Sequence, residues 1–508
     1  MNVTARPDAS RSVAKNTLLL TLGLLSGRAL GVILIRKMTP ILGTEGIGVW
    51  GAAVDISAIL QVVTNFGLGT LLTREITRAR GMTLHLFWNT LKVRWLIAAA
   101  CYLILLLYVG AGSFTDLARQ ATLIMGLAIF IEGTSMACDA VLQAHEKVQY
   151  QSLGQILSAL VYFVLGWLWL DAGHGLMGVI YANMISRVVR LAIMAPLMFM
   201  TTGPWRRSAE GEQAPDLRWM MKLGLPLFLA TTFGIVYTKI DTVMLRQMVG
   251  DSAAGIYVLG RRALDLMLIL PNIFGTALFP AMARYGMKDS ADTIRLGERS
   301  LRLMITLMLP LTLFLTFTAG PIIRLLDPSS GFADSVPVLM IVIWGLPLQA
   351  ANIVFNRMLI TADRERAFIF IGLFSMLVNI TLNTLWIPRY LYIGAAAATI
   401  VSMTVSFLLH LRYLVRSGYR PPFRLAIGGP VLATAAAWFG SVGVWSLLRP
   451  QWGCDVLSLP LQDGWWPFLA VTATTGVLYV GFLFLLRVIR AEDLRVLQNL
   501  LKPGKLAG

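Results

Sequence analysis

Charge is what this chain has least of. Asp, Glu, Lys and Arg make up 14% of its 508 residues, against about 25% in a soluble globular domain. That shortage excludes an ordinary soluble fold, in line with a mean hydropathy of +0.71. Acidic residues are the scarcer kind, 26 against 43 Lys and Arg, leaving a net charge of +17. In a soluble domain such a surplus would point to nucleic acid. Here the basic residues gather in alternate short loops between apolar runs, the pattern of membrane topology, so nucleic acid is excluded as a partner. Cysteine is nearly absent. Cys101, Cys138 and Cys454 have neither disulfide nor metal spacing, and the first two lie inside apolar runs as packing residues. The four histidines, His85, His145, His174 and His410, are scattered. With no P-loop, no GxSxG and no dinucleotide fingerprint in a fitting context, an ATPase or hydrolase centre is excluded as well.

What remains is apolar sequence in long runs. Each is long enough to cross about 30 Å of hydrocarbon as a helix. The spans fall roughly at 13–36, 46–70, 88–110, 119–141, 151–171 and 176–201, then at 219–246, 252–280, 297–320, 334–360, 366–387, 392–415, 424–448 and 466–489. The fold class is therefore an all-α polytopic membrane protein with about 14 transmembrane helices. Its organisation reads as a tail (1–12), a six-helix lobe (13–201), a polar linker (202–218), a second six-helix lobe (219–415), two extra helices (416–489) and an amphipathic tail (490–508). That tail either lines up Leu494, Leu497, Leu500 and Leu501 along the membrane surface or is a frayed basic terminus. The first run ends in no cleavage site and leads into a second span, so it reads as a retained helix and not a signal peptide. Arg74, Arg78, Arg206, Arg207, Arg284, Arg412 and Arg416 belong to loops on one side. The positive-inside rule makes that side cytoplasmic and places both termini there.

The two lobes echo one another. A gap-free shift of about 207 positions sets Gly43 on Gly250, Gly48 on Gly255, Asn65 on Asn272 and Leu71 on Leu278. A hairpin repeated near the start of each half is what a transporter built from two parallel repeats displays.

Polar residues inside the spans carry the chemistry. A charge at mid-membrane costs roughly 2.5–3.5 kcal/mol on insertion scales, so it faces protein or a watery cavity. Glu132 and Asp139 are seven apart and share a helical face, as do Arg187 and Arg190, three apart. Arg28, Arg187 and Arg261, with Lys239, Asn65 and Asn272, are the candidate substrate-binding set, because guanidinium groups in a cavity favour an anion such as a phosphate. Asp55, Glu132, Asp139 and Asp241 are candidates for ion coupling or for charge balance. Neutralisation within or between helices is the plain alternative for all of these groups.

The stretches KNTLLLTLGLLSGRALG (15–31), NFGLGTLLTRE (65–75) and the region 239–285 resemble the multidrug/oligosaccharidyl-lipid/polysaccharide exporter superfamily, in particular its Wzx-like polysaccharide flippases. The resemblance implies two MATE-like six-helix lobes related by a pseudo-twofold axis, alternating access, no enzymatic activity and no cofactor. It further implies a bacterial inner-membrane location, with possible coupling to H+, Na+ or the membrane potential. The expected substrate is an undecaprenyl-pyrophosphate-linked glycan moved from the cytoplasmic to the outer leaflet, with the phospholipid bilayer and polysaccharide polymerase or assembly proteins as partners. In the related lipid II flippase the last two helices form a lipid groove, a role open to 416–489 here by analogy. That relative's first helix resembles R-x-L-G-x-x-R. RALG at 28–31 matches the first part, but Leu34 stands at the final position, which favours the polysaccharide branch.

Three further readings stand beside it, the first a lipid II flippase of the same fold. A cation-coupled drug or metabolite antiporter of the same fold would want a cavity dominated by acids. A membrane glycosyltransferase would want a larger external loop than 449–465.

Overall fold

The computed structural model describes residues 7–202, 217–275, 291–361, 364, 366–416, 428–448 and 466–485. The expected linker core (203–216) and C-terminal tail (490–508) lie outside them, as does Cys454. All regular structure described is helical. In a bilayer this follows from the backbone: with no water to satisfy N–H and C=O groups, a segment must bond to itself.

The first half contains α1 (Pro7–Asn65), α2 (Leu68–Arg78), α3 (Thr83–Ala111), α4 (Asp116–Ala144), α5 (Val148–Asp171) and α6 (Gly175–Thr201). The second contains α7 (Leu217–Met248), α8 (Asp251–Met267), α9 (Ala291–Phe317), α10 (Ala319–Leu326), α11 (Ser335–Val342), α12 (Gly345–Thr361), α13 (Arg366–Arg416), α14 (Gly429–Leu448) and α15 (Trp466–Leu485). Helix α1 begins inside the stretch expected as a tail, with proline at its first position, where a missing N–H costs nothing. Thr115 caps α4, its hydroxyl accepting from the Ala118 N–H at 3.3 Å.

Among the described residues nine helices are long and apolar enough to cross a membrane. Two of them join a pair of expected spans. Straight, the 51 residues of α13 would reach about 75 Å, far more than a bilayer's hydrocarbon thickness. Each joint is a backbone break: Gly43 at φ 64 inside α1 and Leu391 at φ 52 inside α13. Gly250, set on Gly43 by the repeat, also has positive φ (123) and turns α7 into α8. Glycine takes these angles at no steric cost. The same chemistry thus turns the same hairpin in both halves.

The chain divides into two compact units. One comprises Met1–Val258, Leu326–Gly331 and Asn383–Leu391; the other comprises Leu259–Leu325, Phe332–Leu382 and Tyr392–Gly508. In the first, α1 packs against α4, α5 and α7, and α4 against α3 and α6. Lipid tails are as apolar as leucine, so such packing depends on close contact at small residues. Gly166 of α5, for example, lies so close to Leu34 of α1 that a Cβ there would stand 3.1 Å from the leucine side chain. Leu96, Leu103, Ile104 and Leu107 lie along one stripe of α3 and are 59–70% exposed, marking a face toward lipid.

In the second unit α9 packs against α12 and α14, and α14 pairs with α15. Phe317 stacks on Trp438 at 4.1 Å, and the buried Tyr479 donates its hydroxyl to the Thr306 carbonyl at 2.7 Å. These contacts dock the α14–α15 pair onto α9. Tyr479→Phe removes one buried hydrogen bond and strands the Thr306 carbonyl, because the residue four further along its helix is Pro310, which has no N–H to offer. We expect a loss of about 1–3 kcal/mol, read as a fall in melting temperature in detergent. An unchanged melting point would place the docking energy in the ring stacking instead.

Candidate functional site

Among the described residues, a group of buried charge lies between α3, α4 and α6 of the first unit. Glu132 and Asp139, two turns apart on α4, face Arg187 and Arg190, one turn apart on α6. Arg190 forks between the two acids, donating from Nη1 to Glu132 Oε1 at 2.8 Å and from Nη2 to Asp139 Oδ2 at 2.6 Å. Arg187 approaches the other Glu132 oxygen at 3.6 Å and donates from Nε to Asn183 Oδ1 at 2.9 Å. Each pair therefore shares a face, as its spacing predicts, and the two faces meet. Asp139 Oδ1 and Arg190 Nε are buried with no hydrogen-bond partner among the described residues.

A third guanidinium belongs to this region, and the sequence reading did not single it out. Arg94 on α3 is fully buried. It donates from Nη1 to the Gly133 carbonyl at 2.8 Å and from Nη2 to Asn65 Oδ1 at 2.7 Å. The available signal was an arginine lying several residues inside the span expected at 88–110. Three guanidinium groups thus stand against two carboxylates. Arg187, with a fifth of its side chain exposed, is the one most open to the surroundings.

A second group joins α1 to α7. Lys239 pairs with Asp55 at 2.9 Å. Two residues along, the fully buried Asp241 accepts from the Tyr257 hydroxyl at 2.7 Å and from the Asn383 amide at 2.6 Å. Tyr257 and Asn383 are further residues that spacing alone did not reveal, because they come from α8 and α13.

The remaining candidates are placed differently. Arg261 belongs to the second unit and pairs with Asp265 on its own helix at 3.4 Å. Arg28 is exposed on α1. Asn65 and Asn272, equivalent in the repeat, have unlike surroundings: Asn65 is held by Arg94, whereas Asn272 is exposed and donates to the Leu268 carbonyl of its own chain turn at 2.6 Å. Among the described residues no cluster of three or more His, Cys, Asp and Glu has the makings of a metal site. What the arrangement holds is a set of opposed charges inside membrane spans, where such groups are costly unless paired or facing a cavity.

Comparison with known proteins fits this architecture. The family model described as polysaccharide biosynthesis protein matches residues 13–286, and the MatE model matches 226–385. The probable flippase AglR of Haloferax volcanii is 28% identical over 202 residues, which are 39% of this chain and 42% of that protein. The chain thus spans less than half of AglR. The probable low-salt glycan biosynthesis flippase Agl15 of the same organism is 20% identical over 403 residues, covering 79% of this chain and 83% of that one. Among solved structures, the lipid II flippase MurJ in its inward closed conformation superposes with a TM-score of 0.72 at 16% identity, over 93% of this chain and 100% of that one. A multidrug resistance MATE family transporter of the MOP superfamily, facing inward, gives 0.60 at 14% identity over 80% and 99%. Likeness at that identity establishes the shared fold. The matched family model covers more than half of the sequence, and the chain belongs to the polysaccharide biosynthesis protein family, a multi-pass membrane family of the MOP-superfamily fold.

Proposed function

We propose that this protein is a flippase for lipid-linked glycans, a transporter and not an enzyme. The observation that carries the reading is the buried group on α3, α4 and α6, where three guanidinium groups face two carboxylates inside membrane spans. Such groups are costly in a bilayer and mark transport pathways. A surplus of guanidinium suits an anionic head group, which Arg binds in a bidentate fork. The substrate we assign is an undecaprenyl-pyrophosphate-linked oligosaccharide, carried from the cytoplasmic to the outer leaflet of the plasma membrane by alternating access. The names of AglR and Agl15 support the glycan class, and the positive-inside pattern supports cytoplasmic termini.

Arg187 is the substrate-facing member of the group in this reading, with Arg28 and Lys239 of the same unit as further contacts. Asp55, Glu132, Asp139 and Asp241 are the groups that bind an exchanged H+ or Na+. Downstream, a polymerase or assembly protein would receive the glycan. One observation favours a second reading, a cation-coupled antiporter: Asp139 presents a buried carboxylate oxygen with no partner among the described residues.

Deleting the gene in its host and assaying lipid-linked sugars by leaflet tests the proposal. We expect finished lipid-linked oligosaccharide to accumulate on the cytoplasmic side while surface glycan is lost. Unchanged surface glycan with new sensitivity to cationic drugs would establish the antiporter instead.

A further inference from the structure

Helix α1 ends at Asn65, and the chain breaks sharply before α2. Phe66 takes φ 46 and Gly67 φ 69. Positive φ at a bulky residue is a strained conformation, held only where the surroundings over-determine it. Those surroundings are visible. The Phe66 ring stacks on Phe228 of α7 at 4.3 Å, and the Phe66 carbonyl lies where a Cβ at Gly224 would come within 2.7 Å. Beneath the break, Leu68, Leu71, Val93 and Met220 form a small buried cluster.

The last residue before the strain, Asn65, is gripped by Arg94. The same guanidinium donates to the carbonyl of Gly133, the residue beside Glu132 on α4. Gly69 makes room for it: a Cβ there would lie 3.3 Å from Arg94 Nη2 and from Asn65 Oδ1. Burying a guanidinium completely is expensive, and this one joins the Asn65 side chain at the end of α1 to the backbone of α4 and makes no ion pair at hydrogen-bond distance.

We infer that Arg94 is a positioning residue which ties the strained α1–α2 break to the turn of α4 that carries Glu132, so that a shift of the charged group and a movement of the break occur together. The break then acts as the joint about which α2 lifts from α3 and α7. The inference rests on the transport reading given above, since only a transporter needs such a joint to move. It does not depend on which substrate is carried.

The test places a reporter cysteine at Leu71, on the buried face of α2, in a chain whose Cys101, Cys138 and Cys454 are replaced by alanine. Maleimide labelling in membranes then reads how often α2 lifts. Arg94→Ala and Asn65→Ala each remove the same charge-assisted hydrogen bond, so each is expected to raise the labelling rate roughly tenfold. The double variant should label no faster than the faster single, because the two changes delete one interaction. Both variants should also reduce glycan export at normal expression.

Unchanged labelling in both variants would overturn the proposal. So would a double variant equal to the product of the singles, or a response to Arg94→Ala with none to Asn65→Ala, since a general packing role for Arg94 predicts that last pattern. If Arg94→Ala fails to reach the membrane, Asn65→Ala decides alone, because Arg94 keeps Gly133 there. Raised labelling with export intact would overturn the link to transport. Failure of the flippase reading is seen separately, in the leaflet assay of the deletion strain.

Discussion

Replacing Arg190 by methionine is expected to cost about 3–5 kcal/mol of stability, the usual penalty for breaking a buried ion pair from one side. The reason lies in how unequally its two partners are supported. Glu132 retains Arg187 at 3.6 Å when Arg190 is lost. Asp139 retains no hydrogen bond among the described residues: its Oδ2 gives up the 2.6 Å bond, and its Oδ1 has no partner there. Only the more distant charge of Arg94 would remain to it, beside the apolar cluster of Cys138, Val141 and Met194. Adding Asp139→Asn removes the charge while keeping the shape, so the double variant should recover most of the loss. Thermal melting of the purified proteins in detergent reads both steps. If the double variant melts no higher than the single, the cost of Arg190→Met comes from lost packing along its stem and not from Asp139. The same pair separates structure from function. A double variant that folds but exports no glycan would mark the Arg190–Asp139 charges as part of transport.

How much of this was readable beforehand differs between backbone and side chains. Helices, and the turns between them, follow from run length and from glycine, because in a bilayer local hydrogen bonding decides the backbone. Gly43 and Gly250 were set in register by the repeat, and both prove to have positive φ at the same turn. Charge pairing was half legible. That Glu132 and Asp139 share a face is a matter of helical period, as it is for Arg187 and Arg190. That these two faces meet is tertiary, across 58 positions for Arg190 and Glu132. Lys239 and Asp55 were both picked out by depth, yet as members of different classes, a ligand for substrate and a coupling acid. Their 2.9 Å contact makes each the other's counter-ion. Arg94 escaped altogether because its partners are a carbonyl and an amide, which no charge pattern displays. Residues equivalent in the repeat need not share surroundings, as Asn65 and Asn272 demonstrate.

Among the described glycines, Gly48→Ala is expected to be the most damaging single-methyl change. A Cβ at Gly48 would stand 1.8 Å from the Asp251 carbonyl oxygen and 2.9 Å from the Gly255 nitrogen. A Cβ at Gly255 would stand 2.0 Å from the Thr44 carbonyl oxygen and 3.0 Å from the Gly48 nitrogen. Every atom met is backbone, so no side-chain rotation relieves the clash, and the helices must separate. Overpacking of this kind costs about 3 kcal/mol or more. We expect each alanine variant to lose most of its yield of monodisperse protein. Gly110→Ala should be neutral, since that position is helical with nothing within 4 Å. A wild-type yield and melting point for Gly48→Ala would show that the two helices can part without penalty.

The contact also explains why the repeat keeps glycine at both places. Gly48 is set on Gly255 and Thr44 on Asp251, and the two clashes are copies of one another with the halves exchanged. Ser252 next to the crossing donates to the Thr44 hydroxyl at 2.8 Å, and Gly51 meets Val258, its own counterpart. A patch that meets its own copy across a local twofold must be small on both sides at once. The two glycines therefore act as one feature, and Gly48→Ala with Gly255→Ala should cost clearly less than the two losses added together, because the first change already forces the helices apart.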